Sequence, residues 1–341
     1  MRFLAILPVL LASTLFAQDA PTQDTSTLRI SSNLVLVPTE VQTKNGETLY
    51  ALKPEQFVLE DNGVPQKIRV DEDTDALGLS LVVVIQCSRE AFKQFDNMRG
   101  LTAMIDDIAG GAPRQVAVVS YGAEPVLVGT FTNNPATLAE NLAEVEPCEE
   151  QKAVTLDAVA FANHLFDAEP ATNLTSPTAR NRRAILLISE TRDFGSDTKP
   201  ERVIADLGRS NTVVDAVSFN PGKTSVVDSI LHGRFGPGYY GLLVMAVEAL
   251  RKNVPHTLAE LSGGEYTNFT TQHGFDAGMH RLTNHIHNFY LISFVPPEAN
   301  APGLHRLQVK IPDYPDARIR SRPTYYSGEP PPDLPDAKKE K

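Results

Sequence analysis

Three groups of residues have the types and spacing for chemistry. The first is a pair of polar loops, Gln86-Cys87-Ser88-Arg89-Glu90 and Ser189-Glu190-Thr191-Arg192-Asp193, each at the end of an apolar run, LSLVVVIQ and RRAILLIS. Carboxylates, hydroxyls and guanidinium groups gathered in this way can hold a cation, move a proton or grip a partner's charged groups. The second is Gly222-Lys223-Thr224, the ending of a phosphate loop. That pattern needs a further glycine where Val217 stands, so nucleotide binding is not expected. The third is His273, His280 and His287, which on a helix stand about 10 Å apart along the axis, too far to share one ion. No Cys-x-x-Cys or Gly-x-Ser-x-Gly occurs, and the chain's two cysteines are Cys87 and Cys148.

The elements that must position these loops follow from hydrophobic patterning. From Leu79 onward, continuous apolar strands (79–86, 114–121, 126–131, 182–189, 212–219) alternate with amphipathic stretches, among them 90–109 and a last helix at 275–287. Strands apolar on both faces predict a doubly wound, mostly parallel α/β sheet with helices on both faces. Ligands of such a sheet collect at the carboxyl ends of the strands, where both polar loops lie. On either side of this region the pattern is β: a strand at 28–41, with Leu34 and Leu36 facing one way and Val35 and Val37 the other, then 57–60 and 66–71 about the turn Asp61-Asn62-Gly63. Later come 289–295, 304–311 and 317–326. Each set is short of partners, so the two are expected to pair.

Met1-Arg2, the apolar stretch Phe3 to Phe16 and Ala17 before Gln18 make an export signal. The stretch is too short to span a bilayer, so no integral membrane segment is expected after its removal, and the product is expected in the periplasm or secreted. The whole chain carries 31 Lys plus Arg against 42 Asp plus Glu, a net charge of −11. That balance opposes nucleic-acid binding. The expected organisation is a signal peptide at 1–17, a linker at 18–27, a small β domain from 28–75 with 289–327, an α/β domain at 76–288 and a disordered tail at 328–341.

Three segments in this order, VVVIQCSRE, LAELSGGEYTNF and the closing strand Phe289 to Pro297 followed by HRLQVKIPDYPDARIRSR, resemble the von Willebrand factor type A fold. They are more similar still to the bacterial VWFA-related family of exported proteins. The resemblance runs from about residue 30 to 327 and implies an interaction role. It also implies a divalent-ion site built from an Asp-x-Ser-x-Ser loop, a Thr and a second Asp. Here those positions read Gln86, Ser88, Glu90, Ala153 (with Thr155 two residues on) and Glu190. Exchanging a carboxylate for a neutral amide at the first position removes charge, so the expectation is a degenerate site with no cofactor. The alternative is a metal-dependent adhesion module holding Mg or Mn through Ser88, Glu90, Thr155 and Glu190.

An even cysteine count in an exported protein favours a Cys87–Cys148 disulfide, which in this fold would fasten loops that an ion otherwise joins. The expected function is a non-enzymatic module that binds an unidentified protein or cell-surface partner. Its contact residues are Ser88, Arg89, Glu90, Glu190, Arg192 and Asp193 at the sheet top, with Arg234, Phe235 and Tyr239 from the glycine-rich, aromatic segment 226–240. A rival of another class is a hydrolase in the same cleft, with Glu90 or Glu190 as base near His164.

Overall fold

In the computed structural model, which describes residues 34–71, 78–109, 113–167, 182–219, 239–287, 289–297 and 300–329, the apolar run Leu79–Gln86 is strand β5, buried at every residue. The period of two sends Val82 and Val84 into one core and Leu81, Val83 and Ile85 into another. β5 pairs in parallel with β6 (Arg114–Tyr121) and β8 (Arg182–Ser189). Strands β9 (Val213–Phe219) and β10 (Tyr266–Phe269) continue the parallel sheet beyond β8, and β7 (Pro125–Thr132) closes the other edge antiparallel to β6. The order is β10-β9-β8-β5-β6-β7. One face is covered by α3 (Thr155–Leu165), α4 (Pro200–Ser210), α5 (Tyr239–Lys252) and α6 (Val254–Ser262). The other is covered by α1 (Leu101–Ala109), α2 (Pro135–Ala143) and α7 (Gln272–His287). The sheet is thus doubly wound, mostly parallel and flanked on both faces by helices.

The stretch 90–109 is not one helix. A 3-10 turn at Phe92–Met98 precedes α1, because Gly100 takes a left-handed φ of 89° that breaks helical continuity. Within this segment Ala91 and Met98 reach the core, whereas Phe92 is solvent-exposed.

The β segments from the two ends of the chain pair with one another. Strands β1 (Val35–Gln42), β4 (Ile68–Asp71), β11 (Tyr290–Phe294) and β13 (Arg318–Ser321) form one antiparallel sheet in the order β13-β1-β11-β4. Strands β2 (Val58–Asp61), β3 (Val64–Pro65), β12 (Gly303–Lys310) and β14 (Thr324–Ser327) form a second, in the order β14-β12-β2-β3. Val37, Leu59, Ile292, Phe294, Leu307 and Tyr325 contribute to the core the two sheets share. Two details differ from the sequence reading. The partner of β2 across the Asn62-Gly63 turn is the two-residue β3, and 68–71 crosses to the other sheet to pair with β11. Pro65 has no N–H to extend the first ladder. Likewise 317–326 is two strands in two sheets, divided at Arg322-Pro323. Residues 1–17 expected as a signal, the expected linker at 18–27, residues 28–33, segment 220–238 with Arg234 and Phe235, and residues 330–341 of the expected tail lie outside the described residues.

A buried polar cluster lies between β1, β9, β13 and α7. His285 faces Glu40 Oε2 through Nδ1 at 3.5 Å and the Gly263 carbonyl through Nε2 at 3.1 Å, and Arg320 pairs with Glu265. Burial opposes the His285 charge, but the Glu40 hydrogen bond and the Asp215 charge raise its pKa. Asp215 accepts from the Glu265 N–H at 2.8 Å and is almost wholly buried, which pushes its pKa from 3.8 to about 6 despite attraction to His285, Arg320 and Arg182. The native state therefore holds this proton more tightly than the unfolded chain. Asp215 favours folding below pH 3.8, and that contribution is lost as pH rises through about 6. Asp215→Asn should raise stability at pH 8 by up to about 3 kcal/mol and leave it unchanged near pH 3, as read by urea unfolding at the two pH values. Equal stability at pH 8 would refute this account.

Candidate functional site

Because β5 and β8 are parallel neighbours, with Ile85 opposite Ile188, their polar ends meet at the point where the strand order reverses. The centre of that meeting is Gln86. Its Nε2 donates to Ser88 Oγ and to Glu190 Oε1, each at 2.7 Å. Its Oε1 accepts from the Glu190 N–H at 2.8 Å and from the Tyr121 hydroxyl at 3.5 Å. A primary amide has two donors and two lone pairs, so Gln86 is saturated. Tyr121, at the end of β6, also shares a hydrogen bond with Thr155 Oγ1 at 3.1 Å. One buried side chain therefore links the ends of β5, β6 and β8 and, through Tyr121, the first residue of α3.

The amino end of α3 has no cap of its own, since its N-cap residue is Val154. The loop after β8 provides one. Asp193 Oδ1 accepts from the Leu156 N–H at 3.1 Å, and Ser196 Oγ accepts from the Leu156 and Asp157 N–H groups at 3.1 and 3.2 Å. Asp157 in turn accepts from the backbone N–H groups of Asp197 and Thr198 at 3.0 and 2.7 Å. The exchange satisfies orphan donors of the helix and holds loop 193–198 in place.

On the other side of Gln86, Cys87 is disulfide-bonded to Cys148, with Cα atoms 5.1 Å apart. The Cys148 N–H donates to the Cys87 carbonyl at 2.8 Å and the Arg89 N–H to the Glu150 carbonyl at 2.9 Å, so segment 148–150 lies along the β5 loop. Gly122 makes that close approach possible: a Cβ there would stand 2.9 Å from Cys148 Sγ and closer still to the Glu150 carboxylate.

Burial therefore sorts the expected contact residues into two groups. Ser88 and Glu190 are buried, at 1% and 8% exposure, and Asp193 is half-buried and engaged by α3. They build the face rather than present it. Burial raises the Glu190 pKa, with the Glu90 charge adding to it, while the Gln86 hydrogen bond and Arg192 pull it down. Arg89, Glu90 and Arg192 are exposed. Beside them stand two residues the sequence reading did not single out, Phe92 at 65% exposure and Phe194 at 45%. Each is hidden in the sequence for its own reason: Phe92 reads as the apolar side of a helix, and Phe194 directly follows the loop's charged residues.

A cleft of about 290 Å³ opens beside Asp193, with Leu156, Val247, Leu250 and Val254 among the residues that line it. Tyr239 opens α5, whose far end carries Arg251 to that cleft twelve residues later, about 18 Å along the axis. The structure therefore does not bring Tyr239 to the loops around Gln86. Nor does it bring His164 there: that residue is exposed nine residues into α3, 3.7 Å from Asp167.

No family model and no curated protein matches this chain. Solved structures are similar to it at low identity. Proximal thread matrix protein 1 from the mussel byssus matches at a TM-score of 0.43 and 12% identity over 74% of this chain, which spans half the length of that protein. BatB from Bacteroides thetaiotaomicron matches at 0.41 and 12% identity, over 61% of this chain and 100% of that one. The SpRpn10 VWA domain matches at 0.33 and 10%, over 42% and 77%. The strand order, the antiparallel edge strand β7 and the polar loops at the switch point between β5 and β8 give the chain a von Willebrand factor type A-like fold.

Proposed function

We propose that this chain is an exported, non-enzymatic protein-interaction module that grips a protein or cell-surface partner with the strand-end loops around Gln86, without a bridging metal ion. The observation that carries the reading is the exposure of Phe92 and Phe194 beside Arg89 and Arg192 on loops that are fixed from beneath. Aromatic and arginine side chains dominate binding energy at interfaces, and loops ordered in advance lose less entropy on binding. Export is supported by the disulfide, which persists in oxidising compartments, and among the described residues no helix is long and apolar enough to cross a membrane.

The cation-free part of the proposal is supported by the Gln86 amide. A hard divalent ion needs oxygen lone pairs directed at a common point. Here the nearest oxygens, Ser88 Oγ and Glu190 Oε1, are turned to an N–H donor instead, and among the described residues no three His, Cys, Asp or Glu side chains converge as a metal site. The arrangement therefore supports a site that works without Mg²⁺ or Mn²⁺.

The test is capture of envelope or surface proteins of the source cells by the immobilised chain, compared for wild type, Arg192→Ala and Phe194→Ala, in chelator and in excess Mg²⁺. A partner held equally with and without chelator, with affinity reduced about 30-fold by Phe194→Ala, is the expected result. Capture lost in chelator, or indifferent to both substitutions, would overturn the proposal.

A further inference from the structure

We propose that the outer edge of β7 is a second interaction surface, which takes an extended, basic segment of a partner protein as an added strand. It stands apart from the loops around Gln86, because β6 and β5 lie between it and β8, the strand that leads to Arg192 and Phe194.

A strand at the edge of a sheet leaves a row of backbone N–H and C=O groups without ladder partners, and proteins usually blunt such edges with charges, prolines or short length. Among the described residues the other five edge strands follow that rule. β4 carries Arg69 and Asp71, and β13 carries Arg318 and Arg320. β3 has two residues and ends in Pro65, while β10 and β14 have four residues each. β7 has eight residues, none of them charged, and among the described residues it pairs with β6 alone. Its guards are Pro125 at the start and the register shifts on either side of the Val118–Gly129 pair, which leave Pro125, Val126 and Leu127 in regular register with β6. In that regular part Val126 and Leu127 are 52% and 38% exposed, and as consecutive strand residues they project to opposite faces of the sheet. An added strand would cover apolar surface on both faces as it completes the ladder.

The surroundings of this edge select the charge of the partner. Residues 115–151 contain six glutamates and no Lys, Arg or Asp. Glu124 stands exposed in the turn directly before β7. Glu140 is exposed on α2, which packs on β7 with Asn141 against Gly129 and with Leu138 in the same core as Val128. Glu150 accepts from the Ala123 N–H, so the disulfide loop, with Glu149 exposed, lies along the same turn. An uncharged edge framed by carboxylates attracts a segment that carries Lys or Arg. It repels nucleic acid, and it repels a second copy of this chain, whose β7 would bring the same six glutamates with it.

The experiment uses the oxidised chain and three probes: a short peptide of alternating Lys and Val, its Glu/Val counterpart, and the Lys/Val peptide with a central proline that cannot complete a ladder. Hydrogen exchange locates binding and titration measures it. The Lys/Val peptide should slow amide exchange at 126–132 and bind at least about tenfold more tightly than the other two, with affinity falling as salt is added. Leu127→Lys, which places a like charge on the exposed edge, should weaken it about tenfold. Phe194→Ala, aimed at the strand-end loops, should leave this peptide's binding unchanged, so the edge and the loops are tested separately. Failure of the Lys/Val peptide to bind, equal binding of the Glu/Val peptide, protection outside β7 or loss of binding in Phe194→Ala overturns the inference. So does a dimer of the free chain that already protects β7, read by light scattering with hydrogen exchange. Should Leu127→Lys fail to fold, the exchange map and the peptide comparison on wild type decide alone.

Discussion

Reducing the Cys87–Cys148 bond should lower the free energy of unfolding by up to about 4 kcal/mol, the chain-entropy value for the 61-residue separation between the two cysteines. The segment closed by the bond contains β6, β7, α1 and α2, so reduction frees a large part of one side of the sheet in the unfolded chain. In the native state the effect is local. The Cys148 N–H to Cys87 carbonyl and Arg89 N–H to Glu150 carbonyl contacts lose their covalent brace, and segment 148–150 should exchange amide protons faster while β5 and β8 stay protected. Guanidinium unfolding of the oxidised chain, the reduced chain and the Cys87→Ala/Cys148→Ala double variant, with hydrogen exchange on each, measures both effects. Stability of the reduced chain within about 1 kcal/mol of the oxidised one would show that the bond merely decorates a loop already held by the Gln86 network. The same experiment bears on function: with the brace gone, Arg89 and Glu90 lose their fixed position and partner affinity should fall together with protection at 148–150.

The α/β sheet was legible because its signal is carried by composition within each segment. LSLVVVIQ and RRAILLIS have no polar face, and only a strand covered on both sides can use them. The two polar loops were legible for the same reason, as the places where those runs stop. What they do was not, because it depends on which strand lies beside which. Gln86 reads in sequence as a lost carboxylate, and only the adjacency of β5 and β8 shows its amide donating to Glu190 and Ser88 together. Phe92 was hidden by a local ambiguity: 90–109 has the apolar spacing of a helix, and the left-handed Gly100 divides it into a 3-10 turn and α1. Asp215 is a different case. A carboxylate inside TVVDAVSF is an anomaly visible in the sequence, but the charges that act on it, His285, Arg320 and Arg182, lie far from it along the chain, and no local pattern connects them.

Arg322 extends this argument to the largest single-residue effect expected outside the disulfide. The segment 317–326 reads in sequence only as a strand; Arg318 is exposed, but Arg322 stands where the chain passes from β13 to β14 and is only 1% exposed. Burial alone lowers its pKa to about 10, so the guanidinium stays charged at neutral pH. It is held by hydrogen bonds to neutral acceptors. Nε donates to the Thr324 carbonyl at 2.8 Å, Nη1 to Asn211 Oδ1 at 2.9 Å and the Leu36 carbonyl at 3.3 Å, and Nη2 to the Gly208 carbonyl at 2.7 Å. Gly208 belongs to the last turn of α4, so the charge sits against the negative end of that helix and satisfies a carbonyl the helix leaves unpaired. Asn211, left-handed at φ 55°, completes the junction by donating to the Leu34 carbonyl at 2.8 Å and accepting from the Leu36 N–H at 3.1 Å. Arg322→Ala would leave several buried acceptors unpaired and open a cavity among β1, α4 and β14, for an expected loss of about 4 kcal/mol. Arg322→Lys keeps the charge but not the planar fork that reaches acceptors on three sides, and should recover less than half of that loss. Urea unfolding separates the explanations: if Arg322→Met were as stable as wild type, apolar volume would be what the junction needs, whereas a loss in Met close to that in Ala would assign the stability to the hydrogen bonds that only arginine can make in this position.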